Sequence, residues 1–383
     1  MKQEKTMTPK TTLPHSQKFS ALRLPALALS LVVLLAGPAA AVRADNPHDR
    51  PLGDSRVLAP FPANPGYPEG IAVDGRTVYV SGPAQFGNFL QPVVVAYDID
   101  TGAVVAQYPL AGQNPFAPQA GTGLAFDNHD VLYVGDLQQG VISIRVEEEG
   151  APQDVYATAL PDLPTCSTAP APCSPTAIDR PPLINDLVFD HAGNLYITDS
   201  FQATIWRVAE GGGAPQIWFQ SPTFDTDFGP NGMRFDEKGE RAYVSVTFNA
   251  FGQGFIYTLP AVAQPTQGDL ALFHQYNAGE GPDGIAFGKS GNLYVALAAS
   301  NQISVLRPDG TEEVRYGGPS ANPGGVLDPL PWANPAAIAF NDQTRSLLVT
   351  NHAVFFPNPG PFFAIFDVYV NDKASKLERP NIN

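Results

Sequence analysis

The strongest constraint in this 383-residue chain is a motif that it repeats six times. Each copy has a short apolar strand, a polar turn and a second strand that usually contains a tyrosine. The copies begin at Gly70, Gly123, Asp186, Gly232, Gly284 and Ala337, at intervals of 53, 63, 46, 52 and 53 residues. Further alternating apolar runs follow each copy, which indicates three or four antiparallel strands per unit.

Units of about 50 residues that cannot bury both faces alone are typical of a β-propeller. We therefore predict an all-β fold, a six-bladed β-propeller of four-stranded antiparallel blades. A two-sheet sandwich or two smaller β domains would space the motif irregularly. Glycine and proline occupy 35 and 39 positions, which favours short segments joined by turns over long helices.

The two ends of the repeat array are predicted to meet. The last copy lacks a fourth strand after Val370, while the stretch from Arg56 to Phe61 is unassigned. We predict that this N-terminal strand completes the sixth blade, because it would remove an exposed sheet edge. The single propeller domain is predicted to span residues 45–383, with its core at about 56–372.

Residues 1–44 are predicted to be a signal peptide. A basic stretch leads into the apolar run LRLPALALSLVVLLAG, which is shorter than the roughly 20 residues that a membrane span needs. Small residues follow, so cleavage is expected near Ala41 or Ala44; the alternative is an uncleaved anchor. The folded part is predicted to be secreted or periplasmic, with no membrane partner after cleavage.

The formal net charge is −15, and the signal segment holds six basic residues against Glu4 alone. A mature chain this acidic would repel phosphate backbones, so we predict no nucleic-acid partner.

Cys166 and Cys173 lie close together in a proline-rich segment, and an oxidising compartment would favour a local disulfide between them. Free structural thiols are the alternative. Their loop could brace a lid over the site or be a tolerated surface insertion.

One side chain precedes each inner strand at the same position of the repeat: Glu69, Thr122, Asn185, Asn231, Asp283 and Ala336. Pseudo-symmetry places such positions at one height around the axis, so they should converge at one mouth of the channel. Four of them, Glu69, Asn185, Asn231 and Asp283, offer oxygen ligands. Such a set suits a hard cation, Ca²⁺ before Mg²⁺ or another divalent ion. The alternative is that Asn and Asp merely punctuate turns.

The segments PEGIAVD, INDLVFD, PNGMRFD and PDGIAFG, in that order, resemble the SMP-30/gluconolactonase family of calcium-dependent six-bladed propellers. The family is related to diisopropylfluorophosphatase-like and paraoxonase-like hydrolases. The resemblance implies that Glu69, Asn185, Asn231 and Asp283 hold a catalytic divalent metal. Sugar-lactone members carry an arginine where this chain has Leu183, which favours a more hydrophobic or larger ester, lactone or phosphotriester here.

Two residues are candidates for the chemistry itself. The resemblance favours Asp283 as general base or nucleophile. His352 follows the second strand of the sixth repeat and is either a proton shuttle or a satisfied structural histidine. Asp186, Asp199 and Asp136 are expected to orient the ligands.

The leading hypothesis is therefore an exported, metal-dependent hydrolase of small-molecule lactones, esters or related phosphotriesters. No G-x-S-x-G elbow supports serine hydrolase chemistry. One alternative is a non-catalytic, NHL-like propeller that binds a protein or glycan and keeps a structural metal. Another is a strictosidine-synthase-like propeller, which would not be expected to keep all four ligands.

Overall fold

A computed structural model describes residues 50–85, 87–146, 150, 152–226 and 228–382. These residues form six four-stranded antiparallel sheets arranged as the blades of a β-propeller, as predicted. The predicted signal peptide and its cleavage positions lie outside the described residues.

Blades 1 to 3 follow one another along the chain, each numbered from its inner to its outer strand. Blade 1 holds β2 (Ile71–Asp74), β3 (Thr77–Gly82), β4 (Val93–Asp98) and β5 (Val104–Pro109). Blade 2 holds β6 (Gly121–Phe126), β7 (Val131–Asp136), β8 (Gly140–Arg145) and β9 (Gln153–Ala157). Blade 3 holds β10 (Ile184–Phe189), β11 (Leu195–Asp199), β12 (Thr204–Val208) and β13 (Gln216–Gln220).

Blades 4 to 6 complete the ring, and the sixth takes its outer strand from the N-terminal side. Blade 4 holds β14 (Phe228–Phe235), β15 (Arg241–Phe248), β16 (Gln253–Pro260) and β17 (Ala271–Ala278). Blade 5 holds β18 (Pro282–Phe287), β19 (Leu293–Leu297), β20 (Gln302–Leu306) and β21 (Glu312–Gly317). Blade 6 holds β22 (Pro335–Asn341), β23 (Ser346–Asn351), β24 (Ala364–Tyr369) and β1 (Ser55–Pro60).

The described residues contain no α-helix, only three short 3₁₀ turns at Pro222–Phe224, Gln267–Asp269 and Gly360–Phe362. Within that part of the chain, no helix has the length and apolarity needed to cross a membrane.

The predicted closure of the ring is confirmed. β1 pairs antiparallel with β24, with Arg56 opposite Asp367 and Pro60 opposite Ala364. Just before β1, the buried guanidinium of Arg50 forms ion pairs with Asp54 and Asp367. The strand therefore covers the edge of β24, which would otherwise present unpaired backbone groups.

The tyrosine in the repeat has a packing role between blades. A tyrosine on the second strand of one blade meets a phenylalanine on the first strand of the next blade, edge to face. The pairs are Tyr79–Phe126, Tyr133–Phe189, Tyr196–Phe235, Tyr243–Phe287 and Tyr294–Phe340, with ring centroids 4.9–5.3 Å apart. Such contacts stabilise beyond the burial of their apolar area, so the repeated tyrosine is explained by blade packing.

The C-terminal segment crosses the end of the channel away from the predicted ligands. Ala374 forms a β-bridge with Gly288 of blade 5, and the Pro380 carbonyl accepts a hydrogen bond from Asn128 of blade 2. Arg379 forms an ion pair with Asp74 and lies over the ring of Phe126. The segment closes a cavity of about 340 Å³ lined by the inner strands.

Replacing Arg379 by alanine should lower stability, because one side chain links blades 1 and 2. The change removes the Asp74 ion pair, a 2.6 Å hydrogen bond to the Val73 carbonyl and the contact with Phe126. We expect a loss of about 1–2 kcal/mol, measured by urea denaturation. In the matched control, Lys376→Ala, the lost side chain is mostly exposed and no change is expected; equal losses in both variants would contradict the role of Arg379.

Candidate metal centre

The four predicted oxygen donors come together at one mouth of the channel. Glu69, Asn185, Asn231 and Asp283 are all buried, and all four line a pocket of about 290 Å³. The same four also line a small void of about 10 Å³ directly below it. A space of that size holds a single water-sized particle. The structure therefore brings the set together from blades 1, 3, 4 and 5.

The position of the donors relative to the inner strands differs from the prediction, which placed each donor directly before its strand. Glu69 precedes its strand as expected, but Asn185, Asn231 and Asp283 lie inside β10, β14 and β18. In each of these strands the pairing register shifts across the donor, as between Ile184 and Leu187 in β10. A β-bulge redirects a side chain without ending the strand, so the pairing continues on both sides of the donor.

Hydroxyl groups on the second strands tie the donors of neighbouring blades together. In four blades, a serine or threonine donates to the backbone carbonyl of the equivalent ring residue in the next blade. The bonds are Ser81 to Thr122 (2.5 Å), Thr198 to Asn231 (2.6 Å), Ser245 to Asp283 (2.6 Å) and Thr350 to Glu69 (2.9 Å). These hydroxyl residues were not among the predicted site residues, although four motif copies end in serine or threonine.

Apart from Gly70, which directly precedes β2, the glycines that open the sequence motif lie inside the inner strands, and all of them stand against the next blade. A Cβ on Gly232 would lie 2.7 Å from the Asp283 carbonyl oxygen and 2.9 Å from the Ile285 nitrogen. Gly123 faces Asn185 of blade 3 in the same way. The space that a side chain would need at these glycines is therefore occupied by the backbone that carries the neighbouring donor.

Gly232→Ala is expected to destabilise the fold by about 1–3 kcal/mol, because the rigid backbone around Asp283 cannot yield to the added methyl group. The measurement is the urea midpoint in the presence of chelator. Gly268→Ala is the control, since the nearest atom to its Cβ would be 3.8 Å away. Unchanged stability in Gly232→Ala would contradict the close approach.

The two amide donors are fixed in orientation by hydroxyl groups. Asn185 Nδ2 donates to Ser200 Oγ at 3.1 Å, and Asn231 Nδ2 donates to Thr247 Oγ1 at 3.0 Å. Because the NH₂ groups are used in this way, the oxygen atoms are the parts of both amides left to act as ligands.

Glu69 carries a buried acceptor with no hydrogen-bond partner. Its Oε2 lies 3.3 Å from His352 Nδ1, but the geometry is not that of a hydrogen bond. His352 Nε2 donates to the Ala84 carbonyl at 2.6 Å, and burial lowers the pKa of this histidine to about 4. The neutral ring therefore turns a lone pair toward Glu69. A buried carboxylate oxygen left in this state is the kind of atom that a cation satisfies.

Burial also raises the pKa values of the two carboxylates. The pKa of Glu69 lies well above its usual range, because of burial first and the nearby charges of Asp283 and Asp186 second. Burial raises the pKa of Asp283 to about 7, opposed by a hydrogen bond from the Asn231 side chain. Without a counter-ion, these two groups therefore resist ionisation together.

Asp186 lies beside the small void and forms a buried ion pair with Arg234, with 2.5 Å between the Asp186 Oδ2 and Arg234 Nη1 atoms. Its Oδ2 also accepts from the Met233 backbone at 2.9 Å. With Glu69 and Asp283 ionised, the three carboxylates and one guanidinium around the void leave two negative charges. A divalent cation would neutralise that charge.

The other two predicted orienting carboxylates act on turns. Asp199 is fully buried, and its Oδ1 accepts from the backbone of Leu183, two residues before Asn185, at 3.0 Å. Asp136 accepts from Gln139 in the turn after β7 and from Gln113 in the segment that links blades 1 and 2. Asp199 therefore positions the segment that leads to one donor, whereas these bonds of Asp136 hold a neighbouring turn.

Proline and phenylalanine side chains form much of the pocket wall. The wall residues of this type are Pro118, Pro181, Pro182, Phe201, Phe228, Phe248 and Phe355, with Leu183 beside them. His352 lies in the same wall. The pocket is therefore apolar except around the donors at its floor.

The predicted disulfide between Cys166 and Cys173 is present, and it is consistent with an extracellular location. Its loop is held to blade 3, where Gln202 accepts from the Leu163 backbone at 2.6 Å and Ser174 Oγ donates to the Gln202 carbonyl. The pocket wall takes residues 181–183 from the end of this loop, not the cysteines.

Within the described part of the chain, no group of three or more His, Cys, Asp and Glu side chains is spaced to hold a metal ion. The candidate centre differs from such a group because half of its donors are amides. Its donor chemistry is therefore that of a site for a hard cation.

The Asp283 pKa predicts a pH effect on the metal-free protein. The folded chain keeps a proton on Asp283 up to about pH 7, whereas the unfolded chain releases it near pH 4. Relative to Asp283→Asn, the wild type should therefore lose stability as pH rises from about 4 to 7. Urea denaturation in chelator near both pH values measures this difference.

Asp309→Asn is the control for that experiment. Hydrogen bonds from Thr311 lower the pKa of Asp309, so the pH dependence relative to this variant should have the opposite sign. The same sign in both variants would contradict the assignment to Asp283.

Fold and site together define a six-bladed propeller with a ring of oxygen donors at one mouth. The family model for the SMP-30/gluconolactonase/LRE-like region matches residues 168–327, a stretch that includes three of the four donors. The predicted resemblance to this family is thus confirmed. A comparison with curated proteins finds no match.

Three solved structures share the fold. Regucalcin from Agrobacterium tumefaciens strain C58, described as a calcium-binding protein, has a TM-score of 0.59 at 16% identity, covering 86% of this chain and 97% of that one. The PQQ-bound aldose sugar dehydrogenase from Streptomyces coelicolor has a TM-score of 0.56 at 13% identity, and the match covers 84% of this chain and 99% of that one. A luciferin-regenerating enzyme has a TM-score of 0.55 at 11% identity, and the match covers 85% of this chain and 99% of that one. Identities this low show the fold and leave the activity to the site.

Proposed function

We propose that the protein is an exported hydrolase of lactones, esters or related phosphotriesters that depends on a divalent cation, with Ca²⁺ favoured. One observation carries the proposal: four oxygen donors converge on an ion-sized void, and a buried oxygen of Glu69 has no hydrogen-bond partner there. The family resemblance and the calcium-binding description of regucalcin support the choice of ion.

Glu69, Asn185, Asn231 and Asp283 would hold the cation. When bound, a divalent ion supplies Lewis acidity toward a carbonyl or phosphoryl oxygen. Two carboxylates and two neutral amides would supply such an ion with four oxygen ligands and two compensating negative charges. The hydroxyl bridges from the neighbouring second strands would keep the donor spacing fixed.

Asp283 is the group proposed for proton transfer or nucleophilic attack. It lines both the pocket and the void, so one carboxylate oxygen can face the ion and the other the substrate. A carboxylate in this position can take the proton of an attacking water. Alternatively it can attack the acyl carbon itself, so that the bond to the alcohol oxygen breaks, the alcohol leaves with a proton from water, and the resulting anhydride is hydrolysed. His352 has both ring nitrogens facing protein groups, so we assign it a structural part and no proton transfer.

The pocket wall supports an apolar substrate. Leu183 occupies the place where sugar-lactone members of the family carry an arginine, and phenylalanines from blades 3, 4 and 6 line the same pocket. Such a wall stabilises the apolar part of a bound substrate by burying it, and it offers few hydrogen-bond partners to the hydroxyl groups of a sugar. The proposed substrate class is therefore a lactone or ester with an apolar acyl or alcohol part.

Replacing Asn231 or Asp283 by alanine tests the site. Calcium binding followed by titration calorimetry should weaken by at least about tenfold in each variant, because one of four ligands is lost. Hydrolysis of aryl esters and medium-chain lactones should fall in parallel, and chelation should abolish it in the wild type. Asn277→Ala, a change of an exposed residue on an outer strand, is the matched control.

Two results would contradict the proposal in different ways. Unaltered calcium affinity in both site variants would remove the metal centre. Calcium binding that depends on the four donors, without turnover on a broad ester and lactone panel, would favour a non-catalytic propeller whose metal is structural.

A further inference from the structure

The loops around the mouth of the pocket expose aromatic side chains to solvent. The four exposed phenylalanines of the described residues are Phe89, Phe116, Phe251 and Phe355. They lie on loops 83–92, 110–120, 249–252 and 352–363, which join strands at the mouth end of blades 1, 2, 4 and 6. Phe116 is 90% exposed and Phe251 is 80% exposed, so these rings lie at loop tips.

Charge is distributed unequally between the two ends of the propeller. The four loops that carry these phenylalanines contain no Asp, Glu, Lys or Arg. All four lysines of the described residues, by contrast, belong to the far end: Lys238 and Lys289 in turns, and Lys373 and Lys376 in the C-terminal segment. The four phenylalanine loops are therefore uncharged, whereas the charged residues of the mouth end, among them Asp179, Arg180, Asp225 and Glu280, lie on the loops of blades 3 and 5.

The exposed rings and the pocket are continuous. Loop 83–92 contributes Gln85 and Gly87 to the pocket wall, loop 110–120 contributes Pro118, and loop 352–363 contributes Phe355 itself. Phe248, next to the loop of Phe251, lines the pocket from blade 4. An apolar molecule dissolved in a phase that touches these loops could thus enter the pocket without crossing water.

We propose that this mouth face, the loops of Phe89, Phe116, Phe251 and Phe355, docks on the surface of an electrically neutral phospholipid bilayer. The phenylalanine rings would insert among the acyl chains, and the lack of charge on their loops spares the cost of desolvating ions. The acidic chain and the absence of lysine at this end disfavour an anionic surface. This proposal departs from the expectation that the chain has no membrane partner after cleavage of the signal peptide.

The test is flotation of the purified full chain with phosphatidylcholine vesicles. The wild type should float with the vesicles and should stay bound at high salt, because apolar insertion is not screened. The triple variant Phe89→Ser, Phe116→Ser, Phe251→Ser should bind at least about tenfold more weakly. Adding phosphatidylglycerol should weaken binding of the wild type.

The matched control replaces three exposed apolar residues on the outer blade edges: Val104→Ser, Val155→Ser, Leu272→Ser. Vesicle binding should be unchanged in this control, and the midpoint of thermal unfolding should match the wild type in both variants. The assay needs no turnover, so its outcome is independent of the proposed hydrolase activity.

Three outcomes would overturn the proposal. The first is that the wild type does not float with neutral vesicles. The second is an equal loss of binding in the mouth-face and blade-edge variants. The third is a dimer in light scattering that the mouth-face variant converts to a monomer, which would make a second copy of the chain the occupant of this face.

Discussion

The fit between neighbouring blades at the channel axis is the constraint on which the rest of the structure depends. Inner strands pack so closely that the glycine opening one blade touches the backbone carrying the donor of the next. Hydroxyl groups from second strands then bridge the same positions. The position of each oxygen-bearing side chain along the axis is therefore set by the backbone of the neighbouring blade, and the ring of candidate ligands follows from the same contacts that hold the blades together.

The site combines donors that are individually costly to bury. Burial raises the pKa values of Glu69 and Asp283, and Glu69 has one oxygen atom without a hydrogen-bond partner. Natural proteins usually pair such groups, so their retention at a channel mouth points to a ligand that compensates them. The neighbouring carboxylate of Asp186 differs from these two groups, because the guanidinium of Arg234 already neutralises its charge.

Several features of the fold and site could be predicted because they recur at a fixed position in the repeat. Six motif copies predicted the blade number, and the unassigned strand at Arg56 predicted the closure. One position of the repeat predicted four oxygen-bearing side chains that the structure brings to one mouth. The tyrosines and the terminal Ser or Thr of the motif were visible too. Their roles were not, because a tyrosine–phenylalanine contact and a hydroxyl–carbonyl bond join different blades.

Sequence alone determined the all-β class, the six-fold period, the cysteine pair and the chemical type of the donors, since each of these is written in local residue order. Only the tertiary structure decided that three donors sit in β-bulges and that His352 lies against Glu69. It also decided that four uncharged loops share one face. These features depend on how strands from distant parts of the chain register and pack, and no linear pattern encodes that arrangement.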